Sequence, residues 1–134
     1  MFERVWTVRF SDTDPFGIAH YPRIVDAIHE TSDMFMQELG YAFWELAADH
    51  DSGFPLVEMN FEFENPVEAG DEVRITLTPD PSTRSVRFDY EAFVDDTPVF
   101  AGYEQRVYAT MDGGAIEIPP ELRAGFREYA DDGA

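Results

Sequence analysis

The sequence contains no cysteine and no lysine: its nine basic residues are all arginine, set against 28 aspartates and glutamates. The missing cysteine excludes disulfides, thiolate metal sites and a cysteine nucleophile. The scarcity of positive charge argues against nonspecific nucleic-acid binding, which needs clustered Lys and Arg to neutralise phosphates. No apolar stretch approaches the ~18 residues of a membrane span. Met1-Phe2-Glu3-Arg4 lacks the basic start and apolar run of a signal peptide. The expectation is a soluble, cytoplasmic protein that engages neither nucleic acid nor membrane.

What is present is apolar mass under an acidic surface. The 134 residues fit one domain, which buries roughly 68% of the surface its unfolded chain exposes. Hydrophobic residues make up 44% of the chain, with 12 Phe among them. The net charge is −19. Strong acidity with few aromatics signals disorder, but aromatics reach 15% here and strand-like alternation runs through most of the chain. The reading is a folded domain with a solvated acidic surface. Self-repulsion destabilises such a surface at low salt. Salt screens it, because the Debye length falls to about 3 Å at 1 M. Adaptation to high salt is therefore expected.

The chain shows no internal repeat and no linker, so residues 1–130 read as one domain and 131–134 as a frayed tail. Glu3 to Phe10 alternates as a strand. Ser11 to Gly17, dense in Asp, Pro and Gly, reads as a loop. A long helix follows from Pro22 to Leu39, with Ile24, Ile28, Thr31, Phe35 and Leu39 on one face. Pro22 suits its first turn and Gly40 its stop. Phe43 to Asp49 reads as a short helix. Strands then run over 57–64, 73–78, 86–92 and 99–111, with Asp95-Asp96 at a hairpin. Pro119 to Tyr129 reads as a terminal helix. Strand, long helix, then four strands argues α+β with an antiparallel sheet and the helix against one of its faces.

The segment from Asp12 to Pro22 joins the first strand to the helix and carries the candidate chemistry. Two carboxylates, Asp12 and Asp14, precede a helix N-terminus, where backbone N–H groups are unpaired and the helix dipole is positive. Pro22 has no N–H, so the free donors include those of Tyr21 and Arg23. Such donors can stabilise an oxyanion on an attacked carbonyl. A nearby Asp can attack that carbonyl or activate water. Gly17 permits close backbone approach in the turn. Taken alone, either Asp reads first as a helix cap or an Asx turn and only second as a catalyst.

The run Phe10-Ser11-Asp12-Thr13-Asp14-Pro15-Phe16-Gly17-Ile18, followed by Tyr21-Pro22, resembles the N-terminal signature of 4-hydroxybenzoyl-CoA thioesterases and the related YbgC-type acyl-CoA thioesterases. Asn65-Pro66-Val67-Glu68-Ala69-Gly70-Asp71 is similar to that family's turn between strands. The resemblance implies a hotdog fold, in which a five-stranded antiparallel sheet wraps one long helix. It implies a homodimer or homotetramer with interfacial active sites, and hydrolysis of an acyl-CoA substrate without metal or cofactor, coenzyme A being part of the substrate. It places the catalytic carboxylate on Asp14 and the carbonyl-polarising N–H on Tyr21. In the YbgC branch a His follows a Tyr near that point. Here the order is reversed, which leaves His20 as a candidate partner of Asp14. A basic run at a hairpin contacts the nucleotide phosphates in the related enzymes. Arg84 falls in the matching segment, where it is the one basic residue before Val86. Gly17 and Asn60 complete the expected substrate contacts. Met34, Phe35, Met36, Phe61 and Phe63 are either acyl-tunnel residues or plain core. His29 reads as solvated and His50 as a loop residue.

Two other functions share these features. Hydration or dehydration of an enoyl-CoA wants a His positioned with an Asp, and only His20 offers one. A non-catalytic acyl-CoA-binding module would keep the fold without turnover.

Overall fold

The computed structural model describes residues 1–130; the tail at 131–134, expected to fray, lies outside the described residues. In chain order the elements are β1 (Phe2–Thr7), α1 (Tyr21–Leu39), α2 (Phe43–His50), β2 (Ser52–Gly53), β3 (Leu56–Phe63), β4 (Glu72–Pro81), β5 (Ser85–Val94), β6 (Thr97–Val107), β7 (Ala109–Thr110) and α3 (Pro120–Ala130). Five strands form one antiparallel sheet in the order β1-β4-β5-β6-β3, and β2 pairs with β7 in a small ribbon. The expected α+β hotdog arrangement is present, with α1 against one sheet face.

Alternation decides that face. On β5, Val86, Phe88, Tyr90 and Ala92 are buried, while Arg87 and Glu91 are exposed. The register carries the pattern across the sheet: Phe2, Leu77, Tyr90, Gly102 and Phe61 share one row. Arg4, Ile75, Ala92, Phe100 and Phe63 share the next. Against these rows α1 buries Ile24, Ala27, Ile28, Thr31, Ser32, Phe35 and Met36. The Phe35 ring lies 5.5 Å from Phe2 and 5.9 Å from Phe88. α3 reaches the same core through Phe126, 6.1 Å from Phe35 and 5.9 Å from Phe88. Burying each such Phe is worth roughly 1.5–3 kcal/mol relative to exposure.

The structure corrects several boundaries. β1 stops at Thr7 rather than Phe10, because Phe10–Asp12 winds into a 3₁₀ turn. The Asp12 carboxylate holds that turn by accepting the Arg9 N–H at 2.8 Å, and Phe10 is left 85% exposed. The last strand is two pieces: Tyr108, which donates its N–H to the Arg84 carbonyl at 2.8 Å, separates β6 from β7. His50 ends α2 instead of lying in a loop. Of the tunnel candidates, Phe35 and Met36 are wholly buried core, and Met34 is exposed.

Two ionic clusters interrupt the apolar core, one buried throughout and one that pairs buried Arg4 with the exposed Glu30. Arg4 donates to Thr31 Oγ1 at 3.1 Å, to the Ala27 carbonyl at 3.3 Å and to Glu30 at 2.6 Å. On β6, Glu104 accepts the Tyr90 hydroxyl at 2.6 Å and an Arg106 N–H at 3.3 Å. Arg106 also donates to the Phe54 carbonyl at 2.9 Å. Burial, and then the adjacent Glu104 carboxylate, push the Tyr90 phenol well above its usual pKa.

Candidate active site

The segment between β1 and α1 is held open by its own hydrogen bonds. Asp14 donates its N–H to the Ile18 carbonyl and accepts the Gly17 N–H on its own carbonyl, both at 2.9 Å. Gly17 closes this turn at φ +81°, a left-handed conformation that costs a residue with a Cβ about 1–2 kcal/mol. The Asp14 carboxylate Oδ1 accepts the Phe16 N–H at 2.8 Å, an Asx turn. Oδ2 has no protein partner among the described residues. Asp14 is thus both turn residue and half-buried carboxylate with one oxygen free.

The loop is clamped from two sides. His20 donates its N–H to the Asp12 carbonyl at 2.8 Å. Ala19 donates its N–H to Val67 at 2.8 Å, which ties the loop to the turn between β3 and β4. That turn is itself braced: the Asp71 carboxylate accepts the Glu68 N–H at 2.8 Å, Val8 donates its N–H to the Asp71 carbonyl at 2.9 Å, and Gly70 donates its N–H to the Val8 carbonyl at 2.8 Å. The clamp was visible in the sequence only as the Pro66 to Asp71 turn.

α1 begins at Tyr21 with Pro22 in its first turn and His20 as the cap residue. The His20 side chain makes no capping bond; its exposed ring lies 5.4 Å from the Tyr21 ring. Arg23 N–H is taken by the His20 carbonyl at 2.8 Å, which removes it as an oxyanion donor. The Tyr21 N–H meets no acceptor among the described residues. Beside it lies a cavity of about 330 Å³ with a mostly apolar lining, including Ile18, Tyr21, Ile24, Phe63 and Pro66. The sequence leaves Phe63 as either a tunnel residue or core and gives no sign of Ile18 and Pro66, which only the loop clamp brings to this cavity.

Asp14, Gly17, His20 and Tyr21 therefore share one locus. Asn60 and Arg84 do not. Asn60 of β3 pairs with Tyr103 of β6, on the sheet face opposite the one where Phe61 packs on Tyr90 and Phe100. Arg84 is exposed in the turn after β4. Thr7 pairs with Glu72 at one end of β4, and Pro81 with Val86 at the other. At about 3.3 Å per residue, that strand carries Arg84 roughly 30 Å from the Asp14 end of the sheet. A second cavity of about 680 Å³ lies at the Arg84 end of β3, lined by His29, Asp33, Phe43, Trp44, Pro55 and Arg106 among others. There His29 is paired with Asp33 at 3.7 Å.

Residues 8–126 match the model of the Thioesterase-like superfamily. The chain belongs to this superfamily. Over 73 residues it is 30% identical to a 1,4-dihydroxy-2-naphthoyl-CoA hydrolase of Crocosphaera subtropica, an alignment covering 54% of this chain and 53% of the relative. The chain thus spans about half the length of that relative. Among solved structures, a gentisyl-coenzyme A thioesterase superposes with TM-score 0.82 at 29% identity, covering 93% of this chain and 99% of that one. A 1,4-dihydroxy-2-naphthoyl-CoA thioesterase from Synechocystis reaches TM-score 0.88 at 18% identity, covering 95% and 96%, which is a likeness of fold.

Proposed function

We propose that the protein hydrolyses an acyl-CoA thioester to the free acid and coenzyme A. The observation that carries this reading is a single loop in which Asp14 keeps Oδ2 free while Tyr21, which lines an apolar cavity, keeps its N–H unpaired. Asp14 Oδ2 attacks the thioester carbonyl, or takes a proton from the water that does. The Tyr21 N–H receives the negative charge that develops on the carbonyl oxygen. Collapse releases the coenzyme as thiol, and water supplies the second oxygen of the acid. The cavity takes the acyl group. Its apolar lining and the names of the similar proteins favour a hydroxylated aromatic acyl group such as dihydroxynaphthoyl or gentisyl.

The site completes itself in a dimer. β3 is an edge strand, and Val57, Met59 and Phe63 stand 58%, 40% and 52% exposed on its α1 side. An eight-residue edge strand with one apolar face is a pairing site that proteins tend to cover. Antiparallel pairing of β3 with a second copy brings the Phe63 end of one strand to the Leu56 end of the other. Arg84, remote from Asp14 in its own chain, then approaches the partner's loop, as the expected interfacial substrate contact requires.

A thiol-release assay with aromatic and short-chain acyl-CoAs tests the reaction. Turnover of at least one aromatic thioester is expected. Loss of the conjugated absorbance of crotonyl-CoA without thiol release would instead support hydration.

A further inference from the structure

Arginine is scarce in this chain, yet three of the nine line one cavity. It has a volume of about 560 Å³ and lies between β1 and the first half of α1, on the flank of the sheet away from β3. Arg4 forms its inner wall and is saturated by Thr31, Ala27 and Glu30. Arg9 and Arg23 are different. Both are exposed, and neither guanidinium has a hydrogen-bond or ion-pair partner among the described residues. That is unexpected where acids outnumber bases 28 to 9. Two nearby carboxylates are already engaged, Asp12 by the Arg9 N–H at 2.8 Å and Glu30 by Arg4 at 2.6 Å. Asp26, also in the lining, is the remaining acid. Trp6 adds a half-buried indole to the same wall.

We propose that this cavity binds a phosphate or diphosphate group, held by the Arg9 and Arg23 guanidinium groups beside Trp6. Paired guanidinium groups bind phosphate oxygens through charge-assisted, often bidentate hydrogen bonds. The repulsive field of a −19 protein is screened at high salt, so contact chemistry decides the affinity there. Two sources supply such a group: the nucleotide end of coenzyme A, and a free phosphorylated metabolite. The first rests on the thioesterase reading; the second does not. For the coenzyme, the cavity is a route within one chain, distinct from the one through Arg84 of a second copy.

The chain has two tryptophans, so Trp44→Phe leaves Trp6 as the only indole. Inorganic diphosphate and adenosine 3′,5′-bisphosphate are titrated against that protein at fixed ionic strength, and Trp6 fluorescence is followed. A saturable change is expected for at least one of them, weakened about tenfold or more by Arg9→Gln/Arg23→Gln and unaltered by Arg127→Gln, a change on the exposed side of α3. No saturable change, or equal affinity in the double variant, overturns the proposal. The source follows from KM. A rise for an acyl-CoA but not for the matching N-acetylcysteamine thioester assigns the coenzyme's own phosphates. An unchanged KM with diphosphate binding lost assigns a free metabolite. An equal rise for both thioesters overturns the assignment, because the catalytic loop has then been distorted. If wild type hydrolyses no thioester, the fluorescence titration still decides the cavity.

Discussion

Asp14 uses one carboxylate oxygen to build its own loop and leaves the other free. The Asx turn is thus compatible with the proposed catalytic role, because it fixes the carboxylate and leaves Oδ2 open. The sequence motif made this legible, since Asp, Pro and Gly at 14, 15 and 17 are turn residues before a helix with Pro22 in its first turn. It also made the unpaired Tyr21 N–H legible, because proline in the first turn marks where the helix begins and its N–H groups lack partners. It did not reveal that Arg23 loses its N–H to His20, a 3₁₀-type closure that depends on local geometry. Nor did alternation reveal Glu104 and Arg106 facing the core, where Tyr90 and the Phe54 carbonyl satisfy them. Tyr90 yields a pH prediction. Its phenol is raised on folding above the unfolded value of 10.0, first by burial and then by Glu104. The protonated form is the one the fold favours. Its contribution to stability is therefore complete below pH 10.0 and is lost as pH climbs toward the folded value. Denaturant unfolding across that alkaline range should show wild type losing stability more steeply than Tyr90→Phe. Parallel curves would contradict the assignment.

Elements were easier to read than their ends. The long helix and the strand sequence follow from periodicity, because each element buries one face. Phe10 was misplaced because a 3₁₀ turn held by Asp12 continues the strand's apolar pattern without its hydrogen bonding. The split between β6 and β7 depends on contacts from Pro55 and Arg84, distant in sequence, and no local pattern reports them. The pairing of β6 with β3 rests on a missing side chain. A Cβ at Gly102 would meet the Asn60 carbonyl and lie 2.7 Å from Phe61 Cα, both backbone atoms of β3. Overpacking of this kind costs typically 1–3 kcal/mol. Gly102→Ala should lower the melting temperature, loosen amide protection along β3, and weaken self-association through that edge. Wild-type melting and an unchanged sedimentation profile would show that β3 tolerates the displacement and that no dimer depends on it.

At the scale of the whole molecule, charge is the dominant feature, and it was legible in full from composition. The core is ordinary: apolar rows on one sheet face, closed by α1 and α3. The −19 charge lies on a surface whose like charges repel. Raising KCl from low to molar concentration should raise the melting temperature by about 5 °C or more, equivalent to roughly 1 kcal/mol for a domain of this size. A flat melting temperature would remove the case for salt adaptation. What composition could not show is how the charges are distributed, and in particular that Arg9 and Arg23 stay unpaired in one cavity. Nor could it show that Arg84 lies at the far end of its own sheet, the reason the proposed substrate contact calls on a second copy.

The central claim is that Asp14 carries the hydrolysis of a CoA thioester. Its most direct test is thiol release from an aromatic acyl-CoA at high salt, comparing wild type with Asp14→Asn and Asp14→Ala. Melting temperature is followed in the same samples. Asp14→Asn retains an oxygen able to accept the Phe16 N–H, so its fold should persist. The account predicts wild-type turnover that falls at least about a hundredfold in both variants, the scale of a lost general base, with melting of Asp14→Asn close to wild type. Near-wild-type turnover in either variant would contradict it.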